Sequence, residues 1–176
     1  MIIGLTGPAG SGKDTVADWL EAAHDFHRIA LADPIRRGLS AMLGISPKAF
    51  APGIKEQPIG WLGKSPRELM QTLGTEWGRR LVADDIWLRI AERRIERLQK
   101  RTTFGLVITD IRFTNEAAWV REIGGSILHT HRQAIDEVRP HISEAGIEFK
   151  AGDVRLYNDG TIDDLHNLID LLMLDM

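Results

Sequence analysis

Short apolar runs alternate along the chain with stretches whose apolar residues recur at helical spacing. The runs predict five strands, at residues 1–6, 27–32, 104–110, 126–131 and 153–157. Helices are predicted between and after them, over 16–24, 33–43, 65–81, 83–101, 114–123 and 161–172. Regular alternation of strand and helix favours a three-layer α/β fold: a mostly parallel five-stranded sheet with helices on both faces.

The second predicted helix opens with Asp33-Pro34 and stops at Gly44. Asp33 has two interpretations that the sequence leaves open, a helix cap or a substrate-binding residue. Arg36 and Arg37 lie in the first turn, where the helix dipole disfavours cations. They indicate a nearby anion, unless they are solvated surface arginines.

The third predicted helix starts at Ser65, with Pro66 first in the helix and Glu68 completing a capping box. One face is apolar and is expected in the core: Leu69, Leu73, Trp77 and Leu81. The other face carries two helix-weakening glycines beside polar residues: Arg67, Gln71, Gly74 and Gly78. Either a ligand or a neighbouring helix should approach this second face closely.

Other segments are less specific. Residues 46–64 read as a long loop, and the mixed charges of residues 89–101, Arg94 among them, are typical of a solvated helix face. Asp84 or Asp85 is expected to cap that helix, and Thr114 the next one. Thr161 and Asp164 predict a capping box for the last helix, whose inward side chains should be Leu165, Leu168, Ile169 and Leu172.

Composition narrows the function classes. A chain of 176 residues is expected to form one domain, residues 1–176. A net charge of −3 does not suggest duplex nucleic acid as a partner. With no cysteine, no apolar run long enough for a bilayer and no basic start, we expect a cytoplasmic protein without disulfides or a membrane partner.

The strongest chemical signal is the stretch Gly7 to Thr15, which matches G-x-x-x-x-G-K between a predicted strand and a helix. Backbone N–H groups at Gly10, Ser11 and Gly12 can face a polyphosphate, and Lys13 can reach its outer phosphates. Asp14 stands where a magnesium-binding Ser or Thr is usual, so its carboxylate is expected at the metal, with Thr15 near the inner phosphate. The alternative is a glycine-rich turn that binds nothing.

Further candidates follow later strands. Asp110 ends a buried strand, where a carboxylate can hold Mg²⁺, and Arg112 can reach a phosphate or hold Asp110. Arg132 follows the fourth strand. Residues 132–152 read as a lid or a surface insertion, with Arg139 as a further lid charge and His141 as a general base or a solvated histidine.

The assembled pattern resembles the phage and bacterial deoxynucleoside monophosphate kinases of the P-loop kinase superfamily over nearly the full length. The residues that carry the resemblance are 7–15, 32–36, 65–79, 85–87, 109–116, 141–144 and 158–161. Thr114 departs from it, since the family is associated with proline there. The resemblance implies a P-loop kinase fold with a helical acceptor-binding region, about residues 33–101, and a lid, about residues 132–152.

The resemblance also implies a reaction, transfer of the γ-phosphate of ATP to a deoxynucleoside monophosphate with Mg²⁺. Lys13, Arg112 and Arg132 are then catalytic, Asp14 and Asp110 bind the metal, and Asn158 lies by the adenine with Arg132 closing over ATP. The acceptor is assigned to Asp33, Arg36, Arg37, Arg67, Gln71, Trp77 and Asp85. A homodimer is left open.

Two rival functions stay open at this point. Another P-loop kinase acceptor, as in dephospho-CoA kinase or phosphomevalonate kinase, would make Asp33 a base if the acceptor were a hydroxyl. A nucleotide-dependent switch is the other rival. A GTPase is disfavoured because neither D-x-x-G after the second strand nor N-K-x-D is present.

Overall fold

The computed structural model describes residues 1–99, 105–133 and 146–175. The strands are β1 (Ile2–Thr6), β2 (Phe26–Ile29), β3 (Gly105–Ile108), β4 (Ser126–His131) and β5 (Val154–Tyr157). The helices are α1 (Lys13–Ala23), α2 (Asp33–Leu43), α3 (Pro66–Gln71), α4 (Ile86–Gln99), α5 (Thr114–Glu122) and α6 (Ile162–Asp175). A 3₁₀ helix covers Pro47–Phe50, and a π-helix covers Thr72–Val82.

The chain divides into two compact units. The first consists of residues 1–30 and 98–176, and the second of residues 31–97. The first unit therefore contains all five strands, and the second contains α2, α3, the π-helix and most of α4. Within the described part of the chain, no helix has the length and apolar character needed to cross a bilayer.

The sheet of the first unit is parallel throughout, in the order β2-β3-β1-β4-β5. Ile3 and Leu5 of β1 are buried in a core with α1 and α6. Gly4, which points to the other face, lies against side chains that include Val120 of α5. Because successive strand residues face opposite sides, both faces of the sheet carry helices, and the predicted fold class is confirmed.

The two predicted capping boxes are confirmed. The Glu68 carboxylate accepts from the Ser65 N–H at 2.8 Å, and that bond lowers the pKa of Glu68. The Asp164 carboxylate accepts from the Thr161 hydroxyl and N–H at 2.7 and 2.9 Å, which lowers the pKa of Asp164. Of the residues expected to face inward from α6, Leu168 is 42% exposed, so its assignment to the core was wrong.

The structure contradicts the cap expected at Thr114 and the cap that was one of the two interpretations of Asp33. Asp33 and Thr114 are the first residues inside their helices, not the residues before them. At α5 the backbone N–H groups of Arg112 and Phe113 instead donate to the buried Glu116 carboxylate, at 2.7 and 3.0 Å. The acceptor for N–H groups at the start of α5 is thus the Glu116 side chain inside the helix, and not the Thr114 hydroxyl that was expected.

The apolar stripe predicted for the third helix does not lie in the core. Trp77 is 49% exposed and Leu81 is 78% exposed, whereas Gly74 and Gly78 are buried. The physical reason is the π-helix, whose wider turns hydrogen-bond i to i+5, as in the 3.0 Å bond from the Ala83 N–H to the Gly78 carbonyl. Faces deduced from α-helical spacing do not apply to it.

The glycine face receives neighbouring side chains. The indole N–H of Trp87 donates to the Gly74 carbonyl at 2.8 Å, and Trp87 is buried. A Cβ built on Gly78 would lie 2.9 Å from Cε2 of Trp87, and one on Gly74 would lie 2.9 Å from Cδ1 of Ile35. The sequence left open whether a ligand or a neighbouring helix approaches this face. Side chains of neighbouring helices occupy the space beside both glycines.

An ion-pair cluster fixes the start of β5 in the first unit. Asp153 accepts from Arg121 at 2.7 Å and lies 3.2 Å from His129 Nε2, with its side chain 1% exposed. Burial alone would raise the pKa of Asp153, but Arg121, the Lys150 N–H at 2.8 Å and His129 outweigh it and hold the pKa below its ordinary value of 3.8.

Replacing Gly78 with alanine should destabilise the protein by about 1–3 kcal/mol, because the added methyl overlaps a ring that a hydrogen bond holds in place. Urea denaturation of the Gly78→Ala variant measures this loss. Gly38→Ala is the matched control: it is also a helical glycine, but no atom lies within 4 Å of its Cβ position. It should keep or raise stability, by up to about 1 kcal/mol. Equal effects of the two substitutions would contradict the packing argument.

Asp153→Asn should lower the free energy of unfolding at neutral pH by about 3 kcal/mol, because Arg121 loses its buried partner. The folded-state pKa of Asp153 is depressed, so its contribution is complete above the ordinary value and is lost as the pH falls through the folded value. The difference between wild type and variant should therefore shrink from about pH 5 towards pH 2. Denaturant titrations across this range that gave a constant difference would rule out the ionised pair.

Candidate active site

The loop between β1 and α1 has the backbone of a phosphate-binding turn. Gly7, Gly10 and Gly12 all have positive φ, at 139°, 81° and 100°. Residues 7–10 are exposed, and no atom lies within 4 Å of the Cβ position of Gly10. Backbone in this conformation, ahead of the N-terminus of α1, can direct N–H groups at an anion.

The Lys13 ammonium group lies against the same loop. Its Nζ donates to the carbonyls of Gly7 at 2.8 Å and Pro8 at 2.6 Å, and it lies 3.5 Å from the Ser11 hydroxyl. A single positive charge is thus held beside the exposed turn. An anionic ligand bound by the loop would be attracted most strongly at this position, because the ammonium charge lies close to it.

Ser11 differs from the rest of the loop because it is fully buried. Its hydroxyl lies 2.6 Å from the hydroxyl of Thr130 in β4. Its carbonyl accepts from the side-chain amide of Asn158 at 3.1 Å, and Asn158 is 8% exposed. Sequence reasoning missed Thr130, and the only signal was its place near the carboxyl end of a strand predicted to be parallel to β1.

The two predicted metal-binding carboxylates both belong to the first unit. Asp14 is exposed in the first turn of α1, and Asp110 is half-buried two residues beyond β3. The Ile111 N–H donates to the Leu5 carbonyl at 3.1 Å, so the chain after β3 continues alongside β1. Among residues 1–99, 105–133 and 146–175, no cluster of three or more Asp, Glu or His side chains could hold a metal. Waters and phosphate oxygens are the ligands that would complete a magnesium shell built on these two carboxylates.

For the remaining candidates of this unit, the structure gives a position and a degree of burial. Thr15 is half-buried in α1, Arg112 is exposed two residues after Asp110, and Arg132 is exposed directly after β4. Arg139 and His141 lie outside the described residues. The roles proposed for these five side chains stay predictions.

In the second unit, Asp33 bridges two arginines. Its Oδ1 lies 3.0 Å from Arg36 Nη1 and its Oδ2 lies 2.7 Å from Arg94 Nη1. The side chain of Arg94 is 32% exposed, so its assignment to a solvated face was wrong. It lies seven residues after the buried Trp87, on the same face of α4, although this spacing does not indicate its ion-pair partner.

This arrangement has a chemical consequence. One carboxylate holds two guanidinium groups, which leaves a local net charge of about +1 and several unused N–H donors for an anion. Each oxygen of the Asp33 carboxylate already lies beside a guanidinium group. The cluster is suited to binding an anion.

The other acceptor candidates are spread over the second unit. Arg67 is partly buried, with its guanidinium 3.5 Å from the Glu56 carboxylate, and Gln71 is half-buried one turn later. Trp77 is exposed on the π-helix, and Arg37 is exposed on α2. The Asp85 carboxylate pairs with Arg89 at 2.9 Å. None of these contacts tests a role in binding the acceptor.

A family model described as "Deoxynucleotide monophosphate kinase" matches residues 61–169 of this chain. The chain is also similar to the deoxynucleoside-5'-monophosphate kinase of Escherichia phage T5. Identity is 30%, and the alignment covers 69% of this chain and 72% of the phage protein.

Two solved structures are similar in fold. A sugar kinase from a Janibacter species has a TM-score of 0.55 at 16% identity, covering 99% of this chain and 94% of that one. A dephospho-CoA kinase from Campylobacter jejuni has a TM-score of 0.51 at 14% identity, covering 99% and 96%. At these identities the likeness concerns the fold alone, and it supports the α/β P-loop kinase architecture.

Proposed function

Because this chain belongs to the deoxynucleotide monophosphate kinase family, we propose that it transfers the γ-phosphate of ATP, with Mg²⁺, to a deoxynucleoside 5′-monophosphate. It is a nucleotide-binding phosphotransferase whose acceptor is a nucleoside monophosphate. The observation that carries this is the family match over residues 61–169. It favours a nucleotide acceptor over dephospho-CoA-like and phosphomevalonate-like acceptors, and an enzyme over a switch.

The chemical difficulty of the reaction is charge. Donor and acceptor are both phosphates, and the acceptor is largely ionised at neutral pH, so no strong general base is required. Catalysis then consists of positioning two anions and stabilising the charge on the group that moves. This suits a chain in which Asp33, the one carboxylate considered as a base, is paired with two arginines.

The first unit supplies groups that fit the phosphates of ATP. The positive-φ glycines and open backbone at Gly10 support N–H contacts, and Lys13 supports a contact to the β- and γ-phosphates. Carboxylate oxygens are ligands that Mg²⁺ accepts, so Asp14 and Asp110 are assigned to the metal. When bound, Mg²⁺ neutralises phosphate charge. Arg112 and Arg132 are assigned to the transferred phosphoryl group, and Asn158 to the ATP-binding side.

The second unit supplies groups that fit a nucleotide acceptor. Arg36 and Arg94, held by Asp33, are assigned to its 5′-phosphate, as is Arg67. The amide of Gln71 is suited to hydrogen bonds with a base. Arg37, Trp77 and Asp85 are assigned to the same acceptor-binding surface.

The remaining proposals concern context. Small nucleotides are the expected partners, and a net charge of −3 supports the exclusion of duplex nucleic acid. We also propose a single kinase domain that works in the cytoplasm of a bacterial or phage-infected cell, since the T5 relative is a phage protein. A homodimer is compatible with these proposals.

Lys13→Ala should lower kcat by at least about 10²-fold, because the loop loses the charge that stabilises the transferred group. The assay couples ADP release to each common dNMP and NMP in turn, with ATP and Mg²⁺. Lys48→Ala, an exposed lysine of the 3₁₀ helix, is the matched control and should keep wild-type turnover. Near-normal activity of Lys13→Ala with an unchanged melting temperature would refute the assignment of the loop.

Arg67→Ala should raise KM for the deoxynucleotide about tenfold or more and change KM for ATP little, because a charge-assisted hydrogen bond to the acceptor is lost. Glu56→Gln separates this from a structural role, since it removes the negative charge beside Arg67 and keeps the arginine. The two KM values of each variant are measured in the same coupled assay. If Glu56→Gln reproduces the arginine variant, or if both KM values rise equally, Arg67 is structural.

A further inference from the structure

A chain of hydroxyl groups joins the phosphate loop to the sheet. The Thr130 hydroxyl donates to the Thr6 carbonyl at 3.0 Å, and its oxygen lies 2.6 Å from the Ser11 hydroxyl. Ser11 and Thr130 are both fully buried. Thr6 is the last residue of β1 and Thr130 lies near the carboxyl end of β4, so the contact spans neighbouring parallel strands.

The direction of these bonds follows from counting protons. A hydroxyl has one proton and two lone pairs. Thr130 gives its proton to the Thr6 carbonyl, so Ser11 must donate to Thr130. The Ser11 oxygen then keeps its lone pairs towards the Lys13 ammonium group, 3.5 Å away. Without the Thr130 hydroxyl, the buried Ser11 hydroxyl loses its acceptor.

Asn158 contacts the backbone carbonyl of Ser11. Its side-chain amide donates to the Ser11 carbonyl at 3.1 Å, and its own N–H donates to the His131 carbonyl of β4 at 2.8 Å. The amide also packs so closely on Gly12 that a Cβ there would overlap it. Asn158 is thus anchored to β4 and touches the loop where α1 begins.

We propose that Thr130 and Asn158 are positioning residues, which hold Ser11 and thereby the phosphate loop in its nucleotide-binding conformation. Residues 7–10 are exposed and Lys13 bonds two of their carbonyls, whereas Ser11 is the buried residue that attaches the turn to the sheet. A turn that is already ordered before binding loses little conformational entropy when the nucleotide binds. The inference rests on the proposed binding of ATP phosphates by this loop. It gives Asn158 a role that needs no contact with the adenine.

The test compares Thr130→Val, which removes the hydroxyl and keeps the branched shape, with Thr130→Ser, which keeps the hydroxyl. Calorimetry with ATP and Mg²⁺ gives Kd, the coupled assay gives KM for each substrate, and melting temperatures report the fold. Thr130→Val should weaken ATP binding about three- to tenfold, the loss expected for one hydrogen bond, and leave KM for the deoxynucleotide within about twofold. Thr130→Ser should restore ATP affinity to within about twofold of wild type.

Two further single variants and one double variant sharpen the result. Thr161→Val makes the same substitution in the α6 cap, where the hydroxyl bonds Asp164, and should lower the melting temperature without changing ATP affinity. Asn158→Asp keeps the shape, removes the donated N–H and adds a negative charge, and should weaken ATP binding by at least a similar factor even if Thr130→Val does not fold. Combining Thr130→Val with Ser11→Ala should weaken ATP binding little more than either alone, since both break the same bond.

The outcomes separate the two levels of the argument. ATP affinity unchanged in both Thr130→Val and Asn158→Asp overturns the inference and leaves the proposed function intact. Equal loss of ATP and deoxynucleotide affinity, or an effect of Thr161→Val on ATP affinity as large as that of Thr130→Val, overturns it as well. An unaltered chain that binds no ATP overturns the proposed function, and the inference with it.

Discussion

The central position of β1 in a parallel sheet is the constraint from which the rest of the first unit follows. A strand with parallel neighbours on both sides shares its carboxyl edge with both of them. The loop that leaves β1 is therefore delivered beside the segment after β3, with Asp110, and beside the end of β4, with Thr130. The loop, the segment that carries Asp110 and the Thr130 hydroxyl share one edge of the sheet because of strand order, although more than a hundred residues separate Ser11 from Thr130.

Much of the first unit could be predicted from the sequence because its signals are local. Buried parallel strands read as continuous apolar runs, and the phosphate loop has fixed spacing between a strand and a helix. The limits of β4 match the prediction, and those of β1 and β5 differ from it by one residue. The contact between Thr130 and Ser11 could not be predicted, because it depends on β4 lying beside β1 in the sheet.

The second unit was predicted less well, for physical reasons that differ from residue to residue. The π-helix changes the number of residues per turn, so Trp77 and Leu81 moved outward and the glycines inward. Arg94 looked like one charge among many, and only the fold pairs it with Asp33. A charge pattern on a helix does not reveal which of its members meets a carboxylate distant in sequence.

The exposed indole on the π-helix has a spectroscopic consequence. Trp77, at 49% exposure, and Trp61, at 68%, are open to water, whereas Trp87 of the same unit is buried and hydrogen-bonded. Water-exposed indoles emit at longer wavelength and are accessible to collisional quenchers, so this unit carries intrinsic fluorophores of two kinds. Changes around its surface can therefore be followed by native emission, without attaching a dye.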